Sequence, residues 1–113
     1  MESEVFGDIV FADDLVDDVI SGDKEATIRR SSYSDVSIGD VLVAKNTNRE
    51  EFCKLRINQI AFVDAIEAHD ILKSLGVSYS SDKPEDVLDI LDTYYSNITP
   101  KTDVNILVFE VID

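Results

Sequence analysis

The stretch Ser21 to Lys45, SGDKEATIRRSSYSDVSIGDVLVAK, decides how this chain is read. Gly22 stands where a cap glycine ends a helix. Glu25 to Arg30 (EATIRR) carries β-branched Thr27 and Ile28 and reads as a strand. Ser31 to Gly39 is a polar loop. Gly39-Asp40 is a turn signal that opens a second strand, Val41 to Ala44.

Upstream, Asp8 to Phe11 (DIVF) reads as a short apolar strand. Asp13 to Ser21 reads as a helix, with Leu15, Val16, Val19 and Ile20 on one face and Asp13, Asp14, Asp17 and Asp18 toward water. Downstream, Asn46 to Arg49 is a turn and Phe52 to Val63 a long strand. There Cys53, Leu55 and Ile57 alternate with Lys54, Arg56 and Asn58, so one face is buried and the other wet and basic. Asp64 to Leu75 reads as a helix closed by Gly76. A further helix begins at Asp82, where Asp82 and Glu85 resemble a capping box and Pro84 fits the first turn. Val87, Leu88, Leu91, Tyr94 and Tyr95 form its expected buried stripe. Val104 to Ile112 is apolar on both faces and reads as a central strand. Strands interrupted by short helices give an α+β class, best met by a small closed or half-closed barrel with helices packed outside.

Charge is distributed unevenly. The chain has 113 residues and a formal net charge of −14. Residues 1–23 carry eight acids and no lysine or arginine, and residues 57–113 carry eleven acids against three lysines. Residues 24–56 hold seven of the ten basic residues (Lys24, Arg29, Arg30, Lys45, Arg49, Lys54 and Arg56) against five acids. Such a chain repels nucleic acid at long range, so any polyanion must be met through this one segment. The excess of Asp over Glu fits a halophilic archaeal source, although six lysines are many for an extreme halophile. Hydrophobic residues make up 44%, and their regular periodicity argues against a disordered acidic chain.

The length fits one domain, residues 1–113, with one core. The acidic start MESEVFGD is no secretory signal, and no apolar run approaches the roughly 18 residues of a membrane span. A cytoplasmic monomer with no membrane attachment is expected. The single cysteine, Cys53, allows no internal disulfide and no cysteine metal cluster, and no histidine pair exists to bind zinc. No metal and no cofactor are expected. The four glycines are too scattered for a phosphate-binding loop, which argues against an NTPase.

The order of helix, Gly22-x-Lys24-x-x-Thr27-Ile28-Arg29, loop, Gly39-Asp40-x-Leu42, long strand, two helices and a final Phe109-Glu110 strand resembles the ASCH domain. That family belongs to the PUA-like β-barrel superfamily, and the chain looks like a small, stand-alone, archaeal-type member. The resemblance runs from Phe11 to Val111. It implies a PUA-like barrel of about five to six strands with two to three flanking α-helices. It also implies binding of RNA or a nucleotide beside the motif. Similar in size and motif are bacterial amidohydrolases that act on N4-acetylcytidine with a lysine and a threonine of this motif and a later glutamate. Lys24 and Thr27 match the first two. Tyr79 or Ser80 aligns with the glutamate, and Glu85 or Asp82 replaces it only if the loop shifts. Arg30 follows the motif where those enzymes tend to carry an acid.

Taken residue by residue, Lys24 has three readings: an ammonium for a phosphate or base carbonyl, an activator of Thr27 or water, or a surface lysine. Its neighbours Asp23 and Glu25 favour the charged form. Thr27 is a nucleophile in the catalytic reading and a half-wet strand residue otherwise. Arg29 either pairs with Asp40 or meets a phosphate. Arg30 takes the opposite face, because strand side chains alternate. Lys45, Lys54 and Arg56, with Arg49, form either a basic patch for phosphates or a solvated face balanced by carboxylates. Tyr33, then Tyr79, are the aromatics best placed to stack on a base. The candidate catalytic set is Lys24, Thr27 and Glu85. The candidate binding set is Lys24, Thr27, Arg29, Arg30, Tyr33, Lys45, Lys54 and Arg56, for RNA, a nucleotide or a modified nucleoside. His69 and the Asp13–Asp18 cluster read as solvated surface, and Cys53 as core.

Overall fold

A computed structural model describes residues 5–30, 35–77 and 82–112, apart from the side chains of Val5 and Phe6. Five strands form one mixed sheet in the order β1-β3-β4-β5-β2. They are β1 (Val5–Val10), β2 (Ala26–Arg29), β3 (Val41–Lys45), β4 (Glu51–Asp64) and β5 (Asp103–Val111). β1 pairs parallel with β3, and the other neighbours are antiparallel. Three α-helices accompany them: α1 (Val16–Ser21), α2 (Ala68–Ser74) and α3 (Pro84–Tyr94). The sheet curls into a half-barrel, a small α+β fold of the kind expected.

Two apolar clusters lie on its two faces. The concave face holds Ile9, Phe11, Leu42, Leu55, Ile57, Leu107 and Phe109, with Val19 of α1 packed among them. The opposite face, carrying Ala26, Ile28, Val104, Ile106 and Val108, is covered by Ala68 and Leu72 of α2 and Val87 and Leu91 of α3. β5 lies between β4 and β2 and is buried on both faces from Val104 to Phe109. Its unbroken apolar run already pointed to that position.

A bulge in β4 decides which residues enter the concave face. Ile57 pairs with Phe109 but Gln59 pairs with Val108, so Asn58 is an extra residue. The insertion inverts the alternation. Ile60, Phe62 and Asp64 thereafter oppose Leu107, Asn105 and Asp103, while Ala61 and Val63 turn to the helix layer.

Several local expectations are corrected. Tyr94 is 57% exposed rather than part of the α3 stripe, because the helix ends there and Tyr95 alone packs against the core. Ile20 is exposed, since the six-residue α1 is too short to bury more than Val19 fully. The cap of α3 is made by Asp86, whose Oδ2 accepts from the backbone N–H groups of Asp82 (2.9 Å) and Lys83 (3.2 Å), not by an Asp82–Glu85 pair. Among the described residues no helix is long and apolar enough to cross a membrane.

Candidate functional site

The site grows from the end of α1. Gly22 adopts φ +87, the left-handed conformation that closes a helix, and its N–H donates to the Val19 carbonyl. Lys24 N–H then donates to the Asp18 carbonyl at 3.0 Å, fastening the segment that leads into β2. β2 pairs with β5 so that Thr27 opposes Leu107 and Arg29 opposes Asn105. Because Leu107 belongs to the concave cluster, Thr27 and Arg29 share that face, and Ala26 and Ile28 take the helix side.

Thr27 is only 5% exposed, and its Oγ1 accepts a hydrogen bond from Arg29 Nε at 3.0 Å. The Arg29 guanidinium lies 5.0 Å from the centroid of Phe11, a cation–π distance. Phe11 in turn meets Phe52 and Phe109 edge-on, at 6.2 and 5.9 Å. The expected alternative of an Arg29–Asp40 pair is not what forms: Asp40 Oδ2 accepts from Ser37 N–H at 2.8 Å and shapes the turn into β3. Arg30 faces the other way, as alternation requires, and donates from Nη1 to the Ser96 carbonyl at 2.7 Å.

Burial and the nearby Arg29 charge lower the Lys24 pKa from 10.5 to about 8, with Asp18 pulling weakly the other way. The sequence neighbours Asp23 and Glu25 pointed to a firmly charged lysine. Both are exposed, and water screens them while the barrel side desolvates Lys24. Next to Arg29 across the strand pair is Asn105, 2% exposed, whose side-chain amide nitrogen finds no hydrogen-bond partner among the described residues. Sequence reasoning passed over Asn105. The available signal was one polar residue on the core side of an otherwise apolar central strand, VNILVF.

The remaining expected residues are dispersed. Glu85 is exposed in the first turn of α3, in the layer that covers the opposite face from Thr27. Asp82 is exposed just before it. Lys45, Lys54 and Arg56 lie on the outer face of β3 and β4. There Lys45 Nζ pairs with Asp8 Oδ2 at 2.9 Å and Arg56 Nη1 with Glu110 Oε1 at 3.6 Å. Tyr33, Tyr79 and Ser80 lie outside the described residues. No group of three His, Cys, Asp or Glu side chains among the described residues is arranged to hold a metal ion.

No family model and no curated protein sequence matches this chain. Its fold is similar to several solved structures. A protein from Enterococcus faecalis aligns over 98% of this chain and 79% of its own, with TM-score 0.68 and 16% identity. The ASCH domain from Lactobacillus crispatus aligns over 96% and 80%, with TM-score 0.57 and 12% identity. A mutant form of the ASCH protein from Zymomonas mobilis aligns over 93% and 73%, with TM-score 0.63 and 12% identity. The chain therefore has an ASCH-like fold.

Proposed function

We propose that the concave cleft beside Lys24, Thr27 and Arg29 binds the phosphate or another anionic group of a nucleotide or of single-stranded RNA. One observation carries this reading. Lys24 and Arg29 sit close enough for the arginine to push the lysine toward neutrality, in a cleft already partly withdrawn from water. Two like charges held together in low dielectric are relieved by an anion, which gains charge-assisted hydrogen bonds from both. The Asn105 amide, next to Arg29, adds a donor in need of an acceptor. The likeness in fold to ASCH structures agrees with this reading.

The test is a titration with nucleoside monophosphates and a short single-stranded RNA at constant salt. Binding should raise the Lys24 pKa and weaken at least about tenfold in Lys24→Ala. Undetectable binding, or binding indifferent to that substitution, defeats the reading.

The lowered Lys24 pKa also favours a second reading, an amidohydrolase acting on N4-acetylcytidine-type nucleosides. At pH 8 about half of Lys24 is neutral and able to take a proton from Thr27. The Arg29 bond to Oγ1 would stabilise an alkoxide there. Glu85, the expected third member of the set, is exposed in the first turn of α3. The two readings differ in sign with pH. Anion binding needs protonated Lys24 and fades above pH 8, whereas base catalysis needs neutral Lys24 and rises toward it. Absence of N4-acetylcytidine turnover at both low and high salt, with the fold intact, eliminates the enzyme.

A further inference from the structure

We infer that the cleft beside Thr27 and Arg29 selects a terminal phosphomonoester, on a free nucleotide or at the end of an RNA, over an internal phosphodiester. The inference rests on the anion-binding reading above and narrows its ligand.

The unused edge of Arg29 is the first observation. Nε donates to Thr27 Oγ1, and the guanidinium lies over Phe11, but Nη1 and Nη2 have no hydrogen-bond or carboxylate partner among the described residues. The chain holds 24 acidic residues, so carboxylates are not scarce. Lys45 and Arg56, on the outer face, have each found one. The Nε bond and the Phe11 contact fix the guanidinium plane. The open edge is therefore a fork held ready for two oxygens of one group.

The Thr27 hydroxyl is a second, independent observation. Oγ1 accepts from Arg29, so its own O–H must donate elsewhere, and no acceptor for it lies among the described residues. Thr27 is only 5% exposed, and a donor left unpaired at that depth is costly. Lys24 brings a second positive charge from the segment that precedes β2. That segment is tied to β5 by the Glu25 carbonyl, which accepts from Phe109 N–H at 2.9 Å. Of the charges acting on Lys24, Arg29 weighs more than the exposed Asp18.

Such a donor set calls for several acceptor oxygens on one atom and more than a single negative charge. A terminal phosphate offers three oxygens and a charge of about −1.5 to −2 near neutrality. An internal phosphodiester offers fewer free oxygens and only a single charge. Access points the same way. Arg29 over Phe11 closes the side where β1 and β2 meet, and Leu107 and Phe109 are buried beneath. A site set this deep is reached by the end of a molecule, whereas a diester must let its chain leave on both sides.

The test is an amide-resolved NMR titration of the full chain at constant salt and about pH 7.5, where the monoester is mostly a dianion. Uridine 5′-monophosphate is compared with its methyl phosphodiester, and a short oligouridylate carrying a 5′-phosphate with the same oligomer ending in a hydroxyl. Each monoester should bind at least about fivefold more tightly than its counterpart. The tighter of the two monoesters identifies the free nucleotide or the RNA end as the source of the phosphate. Thr27→Val removes the O–H at nearly constant shape, and Arg29→Lys keeps the charge but removes the fork. Each should shrink the monoester preference at least about threefold, with its own spectrum reporting the fold. A monoester preference below about fivefold in both pairs, or one that neither variant shrinks, overturns the inference and leaves anion binding standing. Failure of all four probes to bind defeats the anion-binding reading, and this inference with it.

Discussion

The guanidinium of Arg29 lies over the ring of Phe11, 5.0 Å from its centroid, and ties together the two outermost strands of the sheet. Arg29 ends β2 at one edge, and Phe11 follows β1 at the other. The side chain thus closes the open side of the half-barrel while its Nε holds Thr27 Oγ1. Arg29→Lys keeps the charge but loses the planar fork and the stacking. It should cost about 1 kcal/mol, and Arg29→Ala about 1–2 kcal/mol, in urea unfolding. Both variants should also weaken nucleotide binding. An Arg29→Ala protein as stable as the parent would show that the contact across the seam is idle.

Lys24 makes stability depend on pH in an unusual direction. Its folded pKa of about 8 lies below the unfolded 10.5, so between those values the unfolded chain binds more protons. Stability from this group therefore rises as pH increases from about 8 to 10.5, and the penalty is fully present below 8. Lys24→Met should abolish that rise and stabilise the protein at pH 7 by about 1 kcal/mol or more. The comparison of the two proteins cancels the tyrosines, which titrate in the same range. Parallel stability curves for parent and variant would refute a depressed Lys24 pKa.

Gly22 is predicted to matter through its backbone alone. At φ +87 an added Cβ would meet no atom within 4 Å, so Gly22→Ala tests conformation without a clash. A loss of about 1 kcal/mol is expected, together with weaker ligand binding, because the Lys24 segment starts from this cap. Thermal unfolding and the nucleotide titration check the two effects.

The outer basic face can be separated from the cleft. Lys45 and Arg56 are paired with Asp8 and Glu110. If that face contributes to RNA affinity, Asp8→Asn with Glu110→Gln should strengthen binding several-fold at low salt and steepen its salt dependence. An unchanged salt slope would assign affinity to the cleft alone.

Much of this protein could be read before its fold was known. The Gly39-Asp40 turn signal marked β3, hydrophobic alternation marked the first half of β4, and the doubly apolar run marked β5 as central. Gly22 fixed the end of α1 through its conformational freedom. Strand alternation put Arg29 and Arg30 on opposite faces of β2. These features depend on nearest neighbours along the chain and on the period of a strand, and so they are written locally.

The rest depends on partners distant in sequence. The bulge at Asn58 is set by the pairing of β4 with β5, and it reverses the faces of Phe62 and Asp64 and brings them opposite Asn105 and Asp103. Lys24 looked charged from its acidic neighbours, but the curl of the sheet and Arg29 govern its proton. The basic segment looked like one surface, and pairing divided it between the concave face, the helix layer and the outer face. Sequence alone determined which residues form strands, where α1 stops and that Arg29 and Arg30 part to opposite faces, because periodicity and backbone preference are local. Only the tertiary structure decided what faces them, because burial and charge coupling arise where separate strands meet.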